Sequence, residues 1–204
     1  MAEILKHKPP KKVLKALSYD LPGNVDPLNT SGKAPLTLNY TFDTGAIASL
    51  KLGHGGWTAF SGAQKDAVRD VLAEYETYIN VRFVEGGTGG DLDLYFGRTK
   101  LNGLDGLGGF NWRKTAKTFD MEGYAMFNTG QPLTDEYGRY LIVHELGHAM
   151  TLKHPGRYGS DDERPFLPKS LENNKYTALS YRDNPDSGAL ADRLMLYDIA
   201  ALQA

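Results

Sequence analysis

Polar and apolar residues alternate in "LTLNYTF" (36–42), with Leu36, Leu38, Tyr40 and Phe42 on one side, the period of a half-buried strand. A helical period takes over after Ser61, which is placed as an N-cap. Val68, Val71, Leu72, Tyr75 and Ile79 then form one apolar stripe and predict a helix to about Asn80. "VRFVE" (81–85) and "LDLYF" (92–96) alternate again, and the glycines between them predict a hairpin. "GLGGFNW" (106–112) and "GYAMFNT" (123–129) read as further short strands or edge segments. Pro132 and Thr134 introduce a second long helix, with Asp135 and Glu136 in its first turn, where the macrodipole favours acids. That helix carries "YLIVHELGHAM". Beyond His154-Pro155-Gly156 the chain is polar and irregular to about Lys175, and "LMLYDIAALQA" predicts a closing helix. The order of elements predicts an α+β (α/β-like) fold with a mixed sheet, and no internal repeat is present.

Residues 1–35 are rich in Lys, Pro and Asn, with turn signals at Pro22-Gly23-Asn24 and Asn29-Thr30-Ser31-Gly32. They are expected to be an extension with little structure of its own, which leaves 36–204 as one domain. The basic run from Lys6 to Lys15 reads as a solvated leader.

Composition narrows the chemistry. The chain has 204 residues, 41% hydrophobic and 24% charged, the proportions of a globular domain with a substantial core. A formal net charge of −2 offers no footprint for nucleic acid or an anionic membrane. No apolar run is long enough to span a bilayer, and no hydrophobic stretch follows the N-terminal charges as a signal peptide requires. Cysteine is absent, so any transition metal must rest on histidine and carboxylate ligands.

Of the five histidines, three fall within eleven residues, in "HELGHAMTLKHP" (144–155). Four residues apart on a helix, His144 and His148 share a face and their rings can converge. Glu145, one position round, can reach a water at the metal without being a ligand. His154 is almost opposite in phase, so the helix must stop and the chain must turn sharply after Met150; Pro155 agrees that the helix does not continue. An amphipathic helix with solvated histidines explains one such residue, but not this spacing with the glutamate and a third histidine beyond a break.

This stretch, with His-Pro-Gly at its end, resembles the serralysin branch of the metzincin zinc endopeptidases. The resemblance covers about residues 36–204 and is most specific at 144–155. It implies a zincin fold: a twisted mixed sheet, two long helices, an active-site helix ending at a sharp turn, and an irregular lower part (151–204) below an upper one (36–150). The family has glycine where Thr151 stands. A β-branched residue would be strained at positive φ, so the turn takes another path or Thr151 bears a cost of order 1–3 kcal/mol. "YTALSYR" (176–182) resembles the family's Met-turn, with Leu179 in place of methionine, an exchange that conserves volume. Tyr181 falls on the family's tyrosine, implying a switchable metal ligand whose hydroxyl later helps hold the oxyanion. "GYAMFNT" resembles the edge strand that accepts an extended substrate.

The resemblance implies a zinc-dependent endopeptidase. His144, His148 and His154 hold one catalytic Zn2+, Glu145 is the general base, and a protein or peptide substrate binds to a monomer. It also implies a bacterial extracellular protein exported without an N-terminal signal. A non-catalytic module of a larger repeat-containing protein is the rival reading, favoured by Thr151 and Leu179; a protease restricted to its own chain or to one partner is another. Calcium has little support: "GGTGGDLDL" (86–94) begins like a calcium-binding nonapeptide but puts Asp93 where a large apolar residue belongs, and one copy cannot stack. Asp161-Asp162-Glu163 reads as solvated loop.

Overall fold

The computed structural model describes residues 9–19, 34–87, 92–114 and 119–204. The N-terminal turn signals, His7, most of the basic leader's start and the centre of the glycine-rich stretch (88–91) lie outside the described residues. The elements run α1 (Lys11–Leu17), β1 (Leu36–Thr41), α2 (Thr44–Ser49), α3 (Gly62–Tyr78), β2 (Val81–Glu85), β3 (Leu94–Thr99), β4 (Gly106–Lys114), β5 (Phe119–Asn128), α4 (Glu136–Ala149) and α5 (Leu196–Leu202).

The expected helix after Ser61 is α3, held by a full capping box. The Ser61 hydroxyl accepts from Gln64 N at 3.3 Å, and the Gln64 side chain accepts from Ser61 N at 3.0 Å. All five stripe residues are buried. The second long helix, α4, is capped by Asp135 rather than introduced by Thr134: its carboxylate accepts from Gly138 N at 2.7 Å. The arginine of α4, Arg139, is ion-paired to Glu74 of α3 and so ties the two helices together.

The five strands lie in the order β2-β1-β3-β5-β4. Only β4 is antiparallel to its neighbour; the β1–β2, β1–β3 and β3–β5 pairs are parallel. Two expectations fail here. β2 and β3 do not form a hairpin, because both run parallel to β1 on its opposite sides. Nor is "GYAMFNT" the edge strand: β5 sits between β3 and β4, and the edge is β4, which carries "GLGGFNW".

β3 is buried on both faces, as an interior strand of a covered sheet must be. Phe96 and Leu94 face the main core, with the α3 stripe and Leu141, Ile142 and Leu146 of α4. Tyr95 faces the other way, onto Ile47 of the short helix α2 and Met126. Helix α2, capped by Asp43, is an element the sequence reading did not anticipate.

The N-terminal segment departs from expectation as well. Residues 11–17 form α1, which buries Val13, Ala16 and Leu17 and packs beside α5. Three apolar residues on one face suffice to dock so short a helix, although its lysines had read as leader. Directly after it, Ser18 bridges Leu152 in antiparallel fashion, and Lys153 N donates to Leu17 O at 2.8 Å. The chain's start therefore braces the turn that ends α4.

Candidate metal centre and active site

α4 ends where the sequence required. Met150 N donates to Leu146 O and Gly147 O, and Thr151 then takes φ = +73°, in the left-handed region. Of the two possibilities for Thr151, the strained turn is the one found. Leu152 N closes back on Gly147 O at 2.9 Å, the chain reverses, and His154 returns to the helix face.

The three histidines meet. Their Nε2 atoms lie 3.2 Å (His144–His148), 3.1 Å (His148–His154) and 3.4 Å (His144–His154) apart. Each Nδ1 is occupied by an acceptor: Ala178 O at 2.8 Å for His144, Leu152 O at 2.9 Å for His148, and Asp162 Oδ1 at 2.6 Å for His154. With the Nδ1–H groups donating outward, all three Nε2 lone pairs point at one another. Three facing lone pairs repel one another, and a cation at the centre would relieve that repulsion. A tetrahedral zinc about 2.0–2.1 Å from each nitrogen requires separations of roughly 3.3 Å, so the cluster is already close to the required size. Burial, with the neighbouring rings His148 and His154, pushes His144 well below its ordinary value, and burial followed by His154 pushes His148 down to about 3. Both are neutral at physiological pH, the form that ligates.

The outer partners are mostly ones the sequence did not disclose. Asp162, expected in solvated loop, is held inward: its Oδ2 accepts from Tyr158 N and Gly159 N, both at 2.6 Å, while Oδ1 takes the His154 ring. Asp198 of α5 is fully buried and accepts from Thr177 Oγ1 (2.6 Å), Ala178 N (2.7 Å) and Met195 N (2.9 Å). It thus holds the N–H side of Ala178, the residue whose carbonyl orients His144. The one signal for these roles was an acid within reach of a polar turn, too common a pattern to single out either residue.

The turn at 177–180 is fully buried beneath the histidines. Leu179 lies against Gly147, so a side chain there would meet the Leu179 methyls at 3.0 and 3.3 Å. It fills the floor as expected of a methionine substitute. Tyr181 leaves this turn toward solvent, 57% exposed, with its ring stacked on His144 (5.3 Å between centroids, 19° between planes) and 4.8 Å from the His154 ring. Desolvation pushes its hydroxyl up to about 12, so it keeps its proton.

Glu145 is 6% exposed and lies under the edge strand. Burial pushes its carboxyl up to about 8, against the opposing pull of the Gly108 N–H. The glycines of β4 are what let α4 come so close: a side chain at Gly106 would strike the Glu145 carboxylate, and one at Gly108 its main-chain carbonyl. "GLGGFNW" is therefore the seat of the glutamate as well as the sheet's edge. Among the described residues no other cluster of histidine and acidic ligands is placed to hold a metal.

A mixed sheet edged by one antiparallel strand, a buried helix beneath it and three converging histidines are the arrangement that the resemblance to metzincins implies. Comparison with known proteins agrees. No known family's sequence model matches the chain. The metallopeptidase AprA of Pseudomonas marginalis is 28% identical over 192 residues, covering 84% of this chain and 40% of that protein. The serralysin of Proteus mirabilis is 28% identical over 227 residues, covering 94% of this chain and 45% of its own length. The chain is thus similar to serralysin metallopeptidases over most of its own length, and it spans less than half the length of these curated relatives. Among solved structures, the high choriolytic enzyme 1, a hatching enzyme zinc-protease of Oryzias latipes, aligns over 85% of this chain and 90% of that one with 14% identity and a TM-score of 0.47, a likeness too distant to bear on the site.

Proposed function

We propose that the chain is a zinc-dependent endopeptidase domain in which His144, His148 and His154 hold the metal and Glu145 is the general base. The observation that carries this reading is the triangle of Nε2 atoms, each ring anchored through its other nitrogen, with a buried glutamate one residue from the first ligand. Zinc held there supplies Lewis acidity, lowering the pKa of a water toward neutrality and polarising a carbonyl oxygen. Glu145, whose carboxylate form the charge of a bound zinc would favour against the effect of burial, would take the proton of the attacking water and deliver it to the leaving amine. Tyr181, protonated and stacked on His144, would donate its hydroxyl to the developing oxyanion and could serve as a further metal ligand when no substrate is bound. The free edge of β4, which has a partner on one side only, offers backbone groups to an extended peptide.

The reading extends to a secreted, monomeric bacterial protein. No described helix is long and apolar enough to cross a membrane. The rival, a non-catalytic module, was favoured by Thr151 and Leu179. Because Thr151 adopts the turn and Leu179 fills the floor, neither departure now gives a physical reason to prefer it. The test is Glu145→Ala, which is expected to retain zinc while losing about 10²–10⁴-fold of the rate on a quenched peptide library. Unchanged cleavage by that variant removes the mechanism. Retained zinc with no cleavage of any peptide by the parent protein supports the rival.

A further inference from the structure

Beside the histidines a cavity of about 330 Å³ opens between α4, the start of β4 and the segment that follows the buried turn. His144 itself forms part of its wall, so whatever fills it flanks the bond under attack. Tyr137, Tyr140, Leu141 and Leu190 give the walls an apolar and aromatic character. One charged side chain, Asp105, lines it.

The Asp105 carboxylate is aimed rather than free. Tyr137, a wall residue, donates its hydroxyl to Oδ2 at 2.8 Å, and Gln131 Nε2 donates to Oδ1 at 2.6 Å. The main-chain oxygen of Asp105 accepts from Asn128 N at 2.8 Å, fixing the residue to the end of β5. Both donors are neutral. None of the ion pairs among the described residues includes Asp105, so its charge has no cationic partner there. A carboxylate has about four lone-pair positions, and two donors leave an accepting direction on each oxygen. What the cavity lacks is a cation at the end of an apolar stem.

We propose that Asp105 makes this pocket a specificity site for arginine, and secondarily lysine, next to the scissile bond. The inference rests on the peptidase reading of the adjoining centre and adds the substrate class. The methylenes of the side chain lie along Leu141 and Leu190, and the guanidinium stacks on the tyrosines and meets the carboxylate. Arginine suits it better than lysine because its planar fork engages both oxygens while stacking.

The test compares two fluorescent decapeptides that differ at one position, arginine against citrulline, which has the same shape without the charge. Their binding to zinc-loaded Glu145→Ala protein is read by fluorescence polarisation, which requires no turnover. Cleavage by the parent protein is read in parallel as kcat/KM. The expected result is about tenfold tighter binding of the arginine peptide, the discount for an exposed carboxylate included, shrinking as ionic strength rises. Asp105→Asn removes the preference and leaves the citrulline peptide's affinity as it was. Equal binding of the two peptides to the parent site overturns the proposal, as does a preference that survives Asp105→Asn. Should that variant misfold, loss of the preference between 50 mM and 1 M salt in the unmutated pocket decides the matter, a salt-independent preference counting against it. A peptide that binds with the arginine preference and is never cut sinks the peptidase reading alone; cleavage with no preference sinks this one alone.

Discussion

Thr151 permits a test of how the turn is held. At φ = +73° a β-branched side chain crowds its own backbone, at a cost of about 1–2 kcal/mol relative to glycine. Glycine gives part of this back, because its unfolded chain is freer by about 0.4–1 kcal/mol. Thr151→Gly leaves both main-chain bonds in place, Thr151 N to His148 O at 3.0 Å and Tyr19 N to Thr151 O at 3.4 Å. The net expectation is a stabilisation of about 1 kcal/mol, or roughly 2–4 °C in Tm for a chain of this length. Urea unfolding should show the gain equally with and without zinc if the turn is held by its own main-chain bonds, and zinc affinity should not change. A variant less stable than the parent refutes the strain argument. A gain seen in the zinc-loaded form alone shows instead that metal imposes the turn.

Further outcomes follow from the same geometry. Gly108→Ala drives a methyl into the Glu145 carbonyl and should cost about 1–3 kcal/mol in chemical unfolding, with cleavage falling further than stability because the general base is displaced. Asp162→Asn loses the charge beside His154 and, with its amide oxygen toward that ring, turns an NH2 group onto the Tyr158 and Gly159 N–H donors; chelator competition should show zinc bound about 10–100-fold more weakly, with an unchanged far-UV spectrum. Asp198 is fully buried, and burial raises its carboxyl to about 6 against the pull of its three donors. A carboxyl whose folded value lies above its unfolded one binds its proton more tightly when folded, so its stability contribution is full below about pH 4 and is lost as pH rises through about 6. Measured against Asp198→Asn, the parent's relative stability should decline by roughly 3 kcal/mol across that window, and a relative stability that grows with pH contradicts the assignment.

What could be read from the sequence was whatever depends on local periodicity. The α3 stripe, the capped start of that helix and the four-residue spacing of His144 and His148 are properties of a single helix, and each is found. The break before His154 was legible for the same reason, since helical phase forbids any other route to the metal. Strand adjacency was not legible. β2 and β3 are close in sequence but separated by β1, and nothing within either strand records which edge it presents. Glycines 106 and 108 looked like strand punctuation; their meaning lies in the distance between β4 and α4, a tertiary quantity. The same holds for Asp162 and Asp198, acids whose partners are backbone groups and rings brought together only by folding. The helix at 11–17 was missed because its lysines dominate its composition, whereas three small or branched apolar residues decide where it docks.

The central claim is that three imidazoles share one ion, and X-ray absorption at the zinc K-edge of the metal-loaded protein tests it most directly. One zinc per chain with three imidazole nitrogens about 2.0–2.1 Å away is the expected spectrum. A chain that binds no zinc, or a first shell with fewer than three imidazoles, contradicts the account.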